Sequence, residues 1–256
     1  MLKKILKEKL SWKSKHKLSN FRDKIKAFGK GGDLNELAKI YETDKYGSHY
    51  YTPHYMAHFK KLRYKRLNLL EIGVGGYEEA YEGGASLRMW KKYFPFGNIY
   101  SIDIYDKSAL QENRITIFKG SQTDEDFIKK VVNKIGELDI IIDDGSHKNE
   151  HVIKTFEILF PLMKDGGIYV VEDTQTSYWK EYGGSSEELK SANTTMNYFK
   201  QFADSLNYQE FLIPDYEPTY FDKKIVSLHF YHNLIFIYKG DNDEKSNMVV
   251  NYKLQD

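Results

Sequence analysis

The chain has 256 residues, 41% hydrophobic and 29% charged, with 21 Tyr and 15 Phe, a composition that excludes a disordered or collagen-like protein. Cysteine is absent, which removes disulfide frameworks, thiolate metal sites and cysteine nucleophiles. The formal net charge of +1 hides an asymmetry: residues 1–30 carry eleven Lys and Arg against Glu8 and Asp23, a local +9, so the other 226 residues carry −8.

The basic arm, residues 1–32, places Leu2, Ile5 and Leu6, then Leu18, Phe21, Ile25 and Phe28 at three- and four-residue steps. That period predicts amphipathic helix. Such an arm can pack on its own domain or on a sister subunit, which makes a homo-oligomer an expectation, or it can touch an anionic membrane surface. Nucleic acid is disfavoured as a partner, because no stacking aromatic motif accompanies the charge and the rest of the chain is net acidic. No apolar run approaches the ~18 residues of a membrane span, and the start lacks the apolar stretch of a secretion signal, so a cytoplasmic protein is expected.

Beyond the arm, Asp33 is placed to cap a helix over LNELAKIYE and opens a domain spanning 33–256. The Tyr- and His-rich segment TDKYGSHYYTPHY (43–55) follows. Five apolar runs then have strand length: NLLEIGV (68–74), NIYSIDIY (98–105), RITIFKG (114–120), LDIIIDD (138–144) and GIYVVED (167–173). Helical stretches separate them at 86–94, 124–135 and 149–163. Strands apolar on both faces, alternating with helices, predict an α/β fold with a doubly wound, mostly parallel sheet. Near the end, 225–231 and 234–240 flank His232-Asn233 and predict an antiparallel hairpin.

The first run ends in EIGVGG, where Gly73 and Gly75 let the backbone turn tightly and approach a ligand. No helix opens directly after it; Ser86 is the first residue suited to cap one, which is unfavourable for a pyrophosphate. Asp103 ends the second strand, where a carboxylate accepts both hydroxyls of a ribose. A ribose-bearing cofactor without pyrophosphate fits best, with S-adenosylmethionine (SAM) as the candidate. A second set of groups ends the fourth and fifth strands: Asp143, Asp144 and His147, then Glu172 and Asp173. Neighbouring parallel strands lie ~4.8 Å apart, so these acids converge and call for a hard cation such as Mg²⁺ or Mn²⁺. An imidazole beside them suits a general base at neutral pH. Asp143 has two open readings, a helix cap or a group facing the cofactor.

The blocks LLEIGVGGY, SIDIYDKS, FKGSQTD, IIDDGSH and VVEDTQTSYW, with the upstream TDKYGSHYYTPHY, occur in the order found in one family. Over residues 35–240 the chain resembles the class I, metal-dependent sugar O-methyltransferases of macrolide biosynthesis, related to the cephalosporin hydroxylase group. The resemblance implies a seven-stranded Rossmann-like fold, a metal held by Asp144, Glu172 and Asp173, and His147 as base. It implies cofactor contacts from Glu71, Gly73, Gly75, Asp103 and Gln122, with Thr43, Lys45 and His49 closing over the cofactor or acceptor. Gln175, Tyr178 and Trp179 fall where the family places acceptor contacts. The acceptor is expected to be a small-molecule sugar, nucleotide-linked and destined for a surface polysaccharide. The alternatives are a natural-product sugar or catechol-like acceptor, or a catalytically silent SAM-binding scaffold.

Overall fold

The computed structural model describes residues 11–250 and 253–254. The arm residues Leu2, Ile5 and Leu6 lie outside them. The chain forms two compact units, one ending at Ser121 and the other beginning at Gln122. Among the described residues, no helix is long and apolar enough to cross a membrane.

The first unit contains helices α1 (Trp12–Lys26), α2 (Leu34–Tyr41), α3 (Thr52–Phe59) and α4 (Ala85–Tyr93), and strands β1 (Asn68–Ile72), β2 (Asn98–Asp103) and β3 (Ile115–Lys119). Asp33 caps α2 as its position predicts, Oδ1 accepting from Asn35 N at 2.9 Å and Glu36 N at 3.1 Å. The strands run parallel in the order β3-β2-β1, with Leu70 opposite Tyr100 and Tyr100 opposite Thr116. Their core is aromatic. Trp90 of α4 meets Tyr55 of α3 edge-on at 4.9 Å between ring centroids, and Phe59 lies 5.8 Å from Phe94.

The second unit contains α5 (Glu125–Ile135), β4 (Ile140–Asp143), α6 (Asn149–Leu162), β5 (Ile168–Glu172), α7 (Thr195–Lys200), α8 (Phe202–Ser205), α9 (Tyr220–Lys224), β6 (Ile225–Tyr231) and β7 (Leu234–Lys239). Helix α5 buries Ile128, Val131, Val132 and Ile135, a single stripe at helical spacing. β4 and β5 are parallel, and β7 then runs antiparallel between β5 and β6. The hairpin turn is His232-Asn233, with Tyr231 opposite Leu234. Phe156 of α6 gathers the core, 4.8 Å from both Phe160 and Phe199 and 5.1 Å from Tyr169. Seven strands make the mostly parallel sheet of a doubly wound α/β fold, with β7 running antiparallel to both of its neighbours.

Candidate active site

In the first unit the site is built from the end of β1, the glycine loop behind it and the end of β2. Gly73 and Gly75 take φ of 94° and 76°, a region that favours glycine. The loop then folds back on itself: Gly84 N donates to Val74 O at 2.7 Å, and a Cβ on Gly83 would collide with the carbonyls of Val74 and Gly75. Lys107, buried and missed in the sequence reading, holds this loop by donating to the carbonyls of Glu79 (2.8 Å) and Glu82 (3.1 Å). Asp103 is half-buried; its Oδ2 accepts from Val74 N at 2.9 Å and its Oδ1 from Tyr105 N at 2.8 Å. Each oxygen keeps a lone pair for a further donor.

Several sequence expectations change here. Ser86 does not cap α4, whose N-cap is Gly84 at φ 67°; its hydroxyl donates to Glu71 Oε2 at 3.0 Å. Glu71 is 0% exposed and forms an ion pair with Lys45, 1% exposed, at 3.4 Å. Neither presents accessible surface to a ligand. A carboxylate and an ammonium taken out of water must be compensated by each other, so the pair is an internal strut. Thr43 is almost as buried, its hydroxyl donating to Asp44 Oδ1 at 3.4 Å. His49 remains partly open and stacks on Tyr51 with centroids 4.7 Å apart.

In the second unit, Asp144, His147 and Asp173 each offer one ligand atom, all within 4.8 Å of one another. His147 Nε2 lies 3.6 Å from Asp173 Oδ2 and 4.0 Å from Asp144 Oδ1, and the three side chains are 18–26% exposed. His147 and Asp173 have left-handed φ of 56° and 52°. Non-glycine residues adopt that conformation at a cost, and such strain concentrates at functional sites. Glu172 stays outside this group, buried at the end of β5 opposite Leu234. The extended strand sends consecutive side chains to opposite faces, and the chain turns only at Asp173. The two carboxylates are hard oxygen donors that fit a divalent cation such as Mg²⁺ or Mn²⁺, with the imidazole beside them.

Asp143 and Gln122, expected near the cofactor, are tied into the protein by hydrogen bonds. Asp143 is 1% exposed, and burial, aided by the charge of Asp144, pushes its carboxyl up to about 7 against hydrogen bonds from Gly145 N, Gln122 and Tyr169. Gln122 Nε2 donates to Asp143 Oδ1 (3.3 Å) and Thr155 Oγ1 (3.0 Å), and its Oε1 accepts from Ser146 N at 2.8 Å. Both residues therefore brace the turn that carries Asp144 and His147.

An open pocket of about 540 Å³ begins two residues past Asp173, lined by Gln175, Tyr178, Trp179, Met196, Tyr231, His232 and Asn233. The expected acceptor residues Gln175, Tyr178 and Trp179 are thus together. Gln175 Oε1 is buried without a hydrogen-bond partner among the described residues. Met196 and the hairpin residues were not anticipated. The turn is fixed by Thr174 N donating to Asn233 O at 3.3 Å. Asn149, 1% exposed, is the hidden organiser of this wall. Its Nδ2 donates to Thr176 O (3.2 Å) and Tyr182 O (2.8 Å), and its Oδ1 accepts from Thr195 N at 2.6 Å.

A glycine loop after β1, an acid ending β2 and an antiparallel C-terminal pair define the Rossmann-like fold of a class I methyltransferase. The chain belongs to the rhamnosyl O-methyltransferase/CmcI family, whose model matches residues 88–216. It is 46% identical over 214 residues to the mycinamicin VI 2''-O-methyltransferase of Micromonospora griseorubida, covering 83% of this chain and 54% of that one. It is 48% identical over 216 residues to the demethylmacrocin O-methyltransferase of Streptomyces fradiae, covering 83% and 54%. The crystal structure of the MycE methyltransferase from the mycinamycin biosynthetic pathway, in complex with Mg and SAH, matches with a TM-score of 0.81 at 46% identity, covering 83% of this chain and 55% of that one. The chain spans about half the length of the relatives it matches.

Proposed function

We propose that the chain is a SAM-dependent, Mg²⁺-assisted O-methyltransferase acting on a sugar already attached to an apolar natural product. The observation that carries this reading is the Asp144–His147–Asp173 cluster followed, two residues past Asp173, by an aromatic pocket with no Lys or Arg among its described lining residues. A nucleotide-linked sugar brings a diphosphate, and cations normally meet one. Tyr178, Trp179, Met196 and Tyr231 instead offer apolar surface suited to a sugar face and an aglycone. The relatives' names point the same way, one acting on a mycinamicin and another from Streptomyces olivaceus on a rhamnosyl tetracenomycin. The nucleotide sugar and polysaccharide role expected from the sequence lose their support on both counts.

In this reading Gly73, Gly75 and Asp103 bind the methyl donor, Asp103 accepting from its ribose hydroxyls. Asp144 and Asp173 hold the cation, with Glu172, the neighbour of Asp173, as the third carboxylate to test. The cation, when bound, lowers the pKa of an acceptor hydroxyl, as divalent metals do for water. His147 Nε2 takes that proton, and the two carboxylates beside it stabilise the imidazolium that results. Gln175, Tyr178 and Trp179 orient the sugar so that the freed oxygen meets the methyl group in line.

The test is S-adenosylhomocysteine release with a deoxysugar-bearing polyketide in one set of assays and nucleotide-linked sugars in the other. Turnover with the glycosylated polyketide alone supports the reading. Turnover with the nucleotide sugars alone overturns the acceptor assignment.

A further inference from the structure

Helix α1 is amphipathic in the inverted sense. The side it turns to the first unit carries Asp23 and Ala27, 3% and 0% exposed, with His16 and Asn20 half-buried and hydrogen-bonded to each other at 2.9 Å. Asp23 is held there by Arg22 Nε at 2.9 Å and Ser19 Oγ at 3.3 Å. The opposite side carries Leu18, Phe21 and Ile25, 57%, 66% and 61% exposed, and Phe28 continues the row past the helix end at 85%. A helix whose only task is to cover its own domain turns such residues inward. Here the polar side docks and the apolar side faces out.

The cations are arranged about that row. At 3.6 residues per turn, Lys13, Lys17 and Lys24 run along one flank and Lys15, Arg22 and Lys26 along the other. The helix carries these six cations against Asp23 alone, and the ten residues before Ser11 add four Lys against Glu8. Long basic side chains flanking an apolar row lay their aliphatic stems along it and lift their charged ends, the disposition that suits an interface between hydrocarbon and anionic headgroups. A second copy of the helix laid on this face would set like charges against each other on both flanks.

We propose that the outer face of α1 is a docking surface for an anionic phospholipid bilayer, with Leu18, Phe21, Ile25 and Phe28 entering the headgroup boundary and Lys13, Lys17 and Lys26 beside them meeting lipid phosphates, while Arg22 and Lys24 pair with Glu42 and Glu112 of the first unit. This surface is independent of the methyl-transfer reading. It would hold the protein where membrane-partitioned, apolar acceptors collect.

The test is co-sedimentation of the full chain with phosphatidylcholine vesicles made with and without phosphatidylglycerol. The expected result is pelleting only with the anionic vesicles, weakened by added salt. The triple variant Phe21→Ser, Ile25→Ser, Phe28→Ser changes only exposed side chains and should pellet roughly tenfold less or lower. Lys13→Glu with Lys17→Glu should also release the protein. Equal pelleting of the triple variant, or none by the parent chain, overturns the proposal. A parent dimer that the triple variant turns to monomer, with no pelleting by either, overturns it in favour of a second copy.

Discussion

The main-chain N–H of Val74, inside the glycine loop, donates to Oδ2 of Asp103 at the end of the next strand, 2.9 Å away. One carboxylate thereby fixes the loop to the end of the neighbouring strand. Its other oxygen is anchored by Tyr105 N at 2.8 Å, so its orientation is set before anything binds.

Asp103→Ala should therefore weaken S-adenosylhomocysteine binding through both roles. A hydrogen bond to a charged group contributes about 1.5–3 kcal/mol, so the Kd should rise by roughly 10–100-fold. Asp103→Asn, which keeps one carbonyl acceptor, should fall between. Titration calorimetry reads this directly, and an unchanged Kd in the alanine variant would remove Asp103 from the donor site.

Lys45 and Glu71 make a buried pair at 3.4 Å, and breaking one side of such a pair leaves a charge without compensation. Lys45→Met should destabilise the protein by about 3–5 kcal/mol, a fall in Tm on the order of 10 °C. Adding Glu71→Leu should recover at least half of that loss. If the double variant melts no higher than the single one, the two residues are not coupled.

Asn149 touches no expected ligand, yet it joins the main chain of the Thr176–Tyr182 turn to that of Thr195. Asn149→Ala leaves the Tyr182 carbonyl and the Thr195 N–H without this partner, at about 1–3 kcal/mol for each buried group left unpaired, while Thr176 O keeps the bond from Trp179 N. The acceptor KM should rise severalfold while S-adenosylhomocysteine affinity holds. Trp179→Ala should raise the same KM without the loss of stability, since Trp179 lies at the exposed rim. A change confined to cofactor affinity in either variant would contradict this placement of the acceptor.

The five strands and the long helices were legible because their signals are local. Continuous apolar runs marked β1 to β5, and Asp33 occupies the capping position its place in the sequence predicts; Asp124, not anticipated as a cap, also caps its helix, accepting from Phe127 N at 3.0 Å. The short helices α7, α8 and α9 went unread. Four to six residues carry too little periodicity, and their stability comes from tertiary packing, as where Phe199 and Phe202 meet Phe156.

The site divides in the same way. Chemistry-bearing types at strand ends were readable, so Asp103, Asp144, His147 and Asp173 emerged from the sequence. Whether an acid faces a ligand or a buried partner depends on contacts far away along the chain. Asp143 meets Tyr169, 26 positions on, and Gln122 meets Thr155, 33 positions on. No local pattern encodes those pairings. The pocket wall from His232 and Asn233 was hidden likewise, since a two-residue turn carries no sign of what it lies against.

The cluster of Asp144, His147 and Asp173 is the central claim, and its metal dependence is the direct test. S-adenosylhomocysteine release should be measured on a glycosylated polyketide with thoroughly chelated protein and again after Mg²⁺ is restored, for the parent chain and for Asp173→Asn. The account predicts turnover by the parent only with Mg²⁺, and little from the variant at the same metal concentration. Full turnover by the chelated parent chain would contradict it.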